Sequence, residues 1–140
     1  AFGEIVRGMH HWGASLVIVM MFLHTLRVFF TGSYKKPREL NWVVGVLIFG
    51  VMLGLGFTGY LLPWDMKALF ATKVGIEIAA SVPFIGGAIK TLLAGDETIL
   101  GAQTLTRFFA IHVFFLPAAL LGLLAAHFIM IRKQGISGPL

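Results

Sequence analysis

The chain has 140 residues, of which 58% are hydrophobic and 12% charged, and its mean hydropathy is +0.91. Soluble domains carry about 25% charged residues, so this composition excludes both an ordinary soluble domain and a disordered chain. The net charge of +5 is not gathered into a basic stripe with interleaved aromatics, which argues against a nucleic-acid partner. Cysteine is absent, so the chain itself forms no disulfide, no thiolate metal site and no thioether-linked haem.

Three apolar segments predict membrane-spanning helices, at about 4–31, 41–62 and 106–132. The run 42–62 lacks any ionisable side chain, and the run 108–131 contains only two, His112 and His127. A helix needs about 20 apolar residues to cross a bilayer, and each segment is long enough. The short basic stretches at 34–39 and 132–133 then lie on one side, which the positive-inside rule makes cytoplasmic.

The segment between the second and third spans is not a simple loop. Proline cannot continue a helix and restricts its predecessor, so Pro63-Trp64-Asp65 ends the second span. The stretches 67–80 and 85–94 are too short to span and predict helices lying flat on the membrane surface. The sequence thus predicts one membrane domain over 1–140, an all-α transmembrane bundle that binds haem, with three spanning and two interfacial helices.

Four histidines inside the spans point to the cofactor. His10 and His24 are 14 residues apart, within about 40° of one helix face, and His112 and His127 are 15 apart. The first and third spans run parallel, so His10 lies level with His112, and His24 with His127. Paired imidazoles fill both axial positions of a haem iron, which predicts two stacked electron-transfer haems. Histidines that only bridge helices are the alternative. His11 points about 100° away from His10, toward solvent or a propionate.

Glycines and arginines repeat the histidine spacing. Gly45 and Gly59 are also 14 residues apart, and a flat macrocycle can approach a helix face that lacks side chains. Ordinary tight helix packing is the alternative interpretation. Three arginines lie near the histidines and either pair with haem propionates or extend to the membrane surface: Arg7, Arg27 and Arg107.

These motifs resemble a known family. The segments 7–15 (RGMHHWGAS) and 23–27 (LHTLR) resemble the second helix of cytochrome b, the membrane subunit of cytochrome bc and b6f complexes. The segment 59–65 (GYLLPWD) is similar to its third helix, and 104–109 (TLTRFF) with the two later histidines to its fourth. The spacing of 15, the segment 37–40 and the ending 132–140 resemble the short, b6-type form. The stretch 66–80 departs from the chloroplast form, which favours a bacterial, menaquinol-using relative.

The resemblance implies site roles. His10 and His112 would hold a low-potential haem b, and His24 and His127 a high-potential one. Arg132 and Ile136 match positions near an extra haem or the quinone-reducing site. The quinol-oxidising pocket would lie near six residues at the two corners of the segment after the second span: Pro63, Trp64, Pro83, Phe84, Ile85 and Gly86.

The resemblance also implies an activity and partners. The chain would be a subunit, inactive alone, of a quinol:cytochrome c or plastocyanin oxidoreductase that moves electrons between two quinone sites and translocates protons. Its partners would be a Rieske iron–sulfur protein, a cytochrome c1-type, f-type or other c-type subunit, and a subunit IV-like protein carrying the remaining helices. We expect a dimeric complex in a bacterial inner membrane or a thylakoid membrane.

One departure from the family pattern and two rival functions stay open. The family has a helix upstream of residue 1, and the extra covalent haem of the b6 type uses a cysteine there, so that haem is not assigned to this chain. A haem b membrane anchor of a dehydrogenase or hydrogenase would also pair histidines. A haem-free scaffold subunit would use them only to bridge helices.

Overall fold

A computed structural model describes residues 2–95 and 100–138, and every regular element in these ranges is helical. The elements in chain order are α1 (Phe2–Phe30), α2 (Glu39–Leu61), α3 (Met66–Ala80), α4 (Gly86–Ala94), α5 (Ala102–Ala110), a π-helical turn (Ile111–Phe115) and α6 (Leu116–Gln134). The predicted all-α class is confirmed. Pro139 and Leu140, at the end of the b6-like ending, lie outside the described residues.

Within the described residues, three helices are long and apolar enough to cross a membrane, and the chain is an integral membrane protein. They are α1, α2 and a continuous helix over Ala102–Gln134, made of α5, the π turn and α6. The first two begin and end within about two residues of the predicted bounds. The third begins four residues before the predicted start at 106, and the added turn contains Thr104, which is buried and donates to the Ala94 carbonyl.

The π turn has a cause in the sequence. Pro117 has no N–H group, and its ring would clash with the carbonyl four residues earlier, at Val113. Opening the helix into a π turn at that point relieves the clash. A π turn takes up one more residue than an α turn. This gives a physical reason for a spacing of 15 between His112 and His127, against 14 between His10 and His24.

The two corners around α3 hold strained or capped residues. Trp64 has φ 53° where α2 ends, and the Asp65 carboxylate then caps α3 by accepting a 2.8 Å hydrogen bond from the Ala68 amide. At the next corner Phe84 has φ 69°. Backbone strain of this kind clusters at functional sites.

The chain divides into two compact units: unit 1, Ala1–Gly56 with Ala118–Leu140, and unit 2, Phe57–Pro117. The single-domain interpretation of 1–140 stays a prediction. Unit 2 has a small apolar core of Leu61, Ile76, Ala94 and Phe108. Two buried threonines support it, since Thr72 donates to the Ala68 carbonyl and Thr104 to the Ala94 carbonyl.

Unit 1 is held at one end by polar contacts between the loop after α1 and the chain after α6. The Ser33 and Ser137 hydroxyls are 2.8 Å apart. The Arg38 guanidinium donates to the carbonyls of Gly135 and Ile136, at 3.3 and 3.2 Å. These bonds join segments about 100 residues apart in sequence and fix the short basic loop.

Candidate haem sites

In unit 1, α2 presents a glycine to the His127 ring. A Cβ added to Gly45 would lie 3.5 Å from His127 Cε1 and 4.0 Å from its Nδ1. That Nδ1 atom is buried and has no hydrogen-bond partner in the part of the chain that the structure describes. His24, on α1, is an exposed residue of the same unit. Unit 1 therefore brings His127 against the glycine expected to face it, and the pairing of His24 with His127 stays a prediction.

In unit 2, α2 presents a second glycine to His112. A Cβ added to Gly59 would lie 2.7 Å from His112 Cε1 and 3.3 Å from both ring nitrogens. The His112 Nδ1 atom is also 3.0 Å from the Thr58 hydroxyl oxygen. The 14-residue glycine spacing thus corresponds to two places where an imidazole lies against bare helix backbone.

The remaining histidines are on α1. His10 and His11 are both exposed in this chain. The His11 ring contacts Trp12 edge-on, with centroids 5.6 Å apart, so it belongs to a different face from His10. His10 and His112 belong to different units, and their pairing stays a prediction.

The arginines divide into two kinds. Arg7 and Arg27 are exposed on α1, and Arg132 is exposed in the last turn of α6. Arg107 is half-buried, and its Nη1 donates to the carbonyls of Thr91 and Leu92 at 2.6 and 2.5 Å. Arg107 therefore caps the C-terminal end of α4, a role that the sequence analysis did not foresee. The Ile136 side chain is exposed, and its carbonyl accepts from Arg38.

The six residues predicted for the quinol pocket lie at the two corners of unit 2. Pro63 and Trp64 lie between α2 and α3, whereas Pro83, Phe84 and Ile85 lie between α3 and α4 and Gly86 is the first residue of α4. The Phe84 side chain is fully exposed. A Cβ added to Gly86 would lie 1.9 Å from the Ala80 carbonyl oxygen, so only glycine fits this turn. Their role in binding quinol stays a prediction.

Over 2–95 and 100–138, no group of three or more His, Cys, Asp or Glu side chains is arranged to hold a bare metal ion. A bis-imidazole haem asks for only two protein ligands per iron, so the donor set found here suits haem. Sequence analysis missed two contributors to the sites, Thr58 and the π turn. The position of Thr58 directly before Gly59 and the Pro117 breaker were the available signals.

Comparisons with known proteins point to one family. Residues 15–140 match the family model described as "Cytochrome b(N-terminal)/b6/petB". Two relatives described as "Menaquinol:cytochrome c reductase cytochrome b subunit", from Geobacillus thermodenitrificans and Bacillus subtilis (strain 168), are each 86% identical over the whole chain and 62% of their own length. The "Cytochrome b6" of Heliobacterium modesticaldum is 50% identical over 99% of the chain and 65% of its own length.

The chain thus spans a little under two thirds of the length of these curated relatives. The family resemblance found in the sequence is confirmed, because the family model matches most of the chain, residues 15–140. The chain belongs to the N-terminal cytochrome b/b6 family.

Proposed function

We propose that this chain is the two-haem part of a cytochrome b subunit in a menaquinol:cytochrome c reductase. In that complex it carries electrons between a quinol-oxidising and a quinone-reducing site on opposite membrane faces, with proton translocation. The observation that carries the proposal is that α2 presents Gly45 to His127 and Gly59 to His112. Two relatives at 86% identity bear that enzyme's name, which favours a cytochrome c acceptor over plastocyanin.

The residues present fit haem b. A methyl group at Gly59 would overlap the His112 ring. The space beside this face of α2 is therefore narrow, and a flat ring fits it. The buried, unpartnered Nδ1 of His127 in the described part of unit 1 marks a polar ring in apolar surroundings. His10 with His112, and His24 with His127, would hold the two irons. Haem b bound by two imidazoles supplies one-electron redox chemistry without an open coordination position.

The chain's own residues supply orientation and insulation. The many exposed apolar side chains of α1, α2 and α6 suit a hydrocarbon environment, which would keep water from the imidazoles. The exposed guanidinium groups of Arg7 and Arg27 are placed to pair with propionate carboxylates. The Nη1 group of Arg107 is engaged by α4, and the rest of its planar fork remains for a carboxylate.

The corners of unit 2 supply the proposed quinol pocket. Trp64 and Phe84 are held with positive φ, and Gly86 allows α4 to turn back closely onto the end of α3. An exposed aromatic ring at such a corner suits a quinone ring, which is flat and largely apolar. The proposed partners are a Rieske iron–sulfur protein, a c-type cytochrome subunit and a subunit IV-like protein with the remaining helices. The chain is inactive without them.

The test is optical and uses the complete membrane complex. We expect about two b-type haems per chain, low-spin in both redox states and with different midpoint potentials. The substitution His10→Leu should remove one haem and leave the other, whereas a scaffold would show only a loss of stability of a few kcal/mol. Phe22→Leu, on the same helix, is the matched control and should keep both haems. A folded but colourless complex would overturn the proposal.

A further inference from the structure

The His112 imidazole is held by a buried hydroxyl. Thr58 is 5% exposed, and its Oγ1 lies 3.0 Å from His112 Nδ1. Thr58 directly precedes Gly59, whose α-carbon faces the same ring. One turn of α2 therefore gives His112 both a bare backbone surface and a polar contact at Nδ1.

We call each facing pair of a glycine and a histidine a level. The second level, Gly45 with His127, lacks this hydroxyl. The residue directly before Gly45 is Val44, which occupies the position of Thr58 in the repeat and cannot form hydrogen bonds through its side chain. Within 2–95 and 100–138, His127 Nδ1 has no hydrogen-bond partner of ordinary geometry, and the main chain of Asn41 interacts with the ring. The two glycine–histidine levels therefore differ by one side-chain hydroxyl, which only the His112 level has.

We infer that Thr58 is a positioning residue that fixes and tunes His112 as a haem ligand, and that Val44 leaves His127 without this support. The inference rests on the proposed function. When Nε2 ligates a metal, Nδ1 carries the proton and donates it, so the Thr58 oxygen accepts. A threonine in a helix can accept in this way while donating its own hydroxyl proton to the carbonyl four residues earlier.

The hydrogen bond should lower the midpoint potential of the haem at the His112 level. An N–H donor on a ligating imidazole makes the ligand more basic when it is hydrogen-bonded. A more basic ligand favours the ferric form and so lowers the midpoint potential. Thr58 therefore helps to make the haem at His112 the lower-potential one, and the Thr58/Val44 difference contributes to the gap between the two haems.

The experiment is redox titration with EPR spectroscopy on the complete complex carrying Thr58→Val, which keeps the shape and removes the hydroxyl. Loss of one hydrogen bond of ordinary strength changes an equilibrium by up to about tenfold. The ratio of reduced to oxidised haem at the His112 level should rise by that factor, a positive shift of up to about 59 mV for one electron. The other haem should keep its potential. Thr58→Ser should restore the original value.

Val44→Thr is the reciprocal variant, and it should lower the potential of the haem at the His127 level. The His112→Leu variant identifies the signal of its haem. If Thr58→Val prevents assembly, Thr58→Ala and Thr58→Ser are compared instead, and only Ser should keep the wild-type potential.

The inference is overturned if Thr58→Val, or Thr58→Ala in its place, retains both haems with unchanged potentials and an unchanged EPR g value at the His112 level. In that case Thr58 only fills space. A colourless wild-type complex overturns the proposed function and this inference together, so the two failures are distinguished by the optical spectrum.

Discussion

Unit 1 and unit 2 differ in what shapes them. Unit 2 has a core of its own side chains, buried threonines bonded to main chain, and an arginine that caps a helix. In unit 1 the described residues of α1 and α6 include none that is buried in the chain itself. Some glycines show the same difference. A Cβ added to Gly75 or Gly86 of unit 2 would lie 2.4 Å or less from protein atoms, whereas a Cβ added to Gly13 or Gly122 of unit 1 would meet nothing within 4 Å.

This difference indicates how far contacts within the chain stabilise each unit. Side chains that touch only a few neighbours in their own chain contribute little packing energy. The long helices α1 and α6 of unit 1 therefore gain little order from contacts within their own chain, whereas the corners of unit 2 are packed by side chains of this chain. Substitutions in unit 2 should therefore change its geometry directly, and those in unit 1 should do so less.

The largest effect should come from comparing the two facing glycines. Gly59→Ala places a methyl carbon 2.7 Å from the His112 ring, so the ring must move, and we expect loss of most of the haem at that level. Gly45→Ala places its methyl at an ordinary 3.5 Å contact with His127 and should retain both haems. Haem content per chain by optical spectroscopy measures both. Equal losses in the two variants would show that the units do not differ in this way.

The sequence was sufficient for the helical elements but not for the contacts between them. Hydropathy located the three spans, and the 14-residue spacing singled out Gly45 and Gly59 before any coordinates. The sequence could not show that Thr58 contacts His112 or that Arg107 caps α4. Both contacts depend on how helices distant in sequence meet, and a helical pattern gives only the face on which a residue lies.

The next effect concerns the corner before α4. Gly86→Ala puts a Cβ 1.9 Å from the Ala80 carbonyl oxygen, and backbone cannot turn aside as a side chain can. We expect a loss of stability at or above the usual overpacking range of about 1–3 kcal/mol. Gly87→Ala is the matched control, because its Cβ meets nothing within 4 Å. Thermal denaturation of the complex in detergent should separate the two, and equal melting temperatures would contradict the geometry.

The smallest effect separates two roles of Arg107. If its main contribution is capping α4, Arg107→Ala removes two bonds to the Thr91 and Leu92 carbonyls and should cost about 1.5–3 kcal/mol. Lys90→Ala removes an exposed ion pair with Glu77 and should cost at most about 1 kcal/mol. Hydrogen exchange of peptides from α4 measures the local loss in each variant. Faster exchange in Arg107→Ala with both haems retained assigns Arg107 to the fold of unit 2, whereas unchanged exchange with loss of one haem assigns it to the propionates.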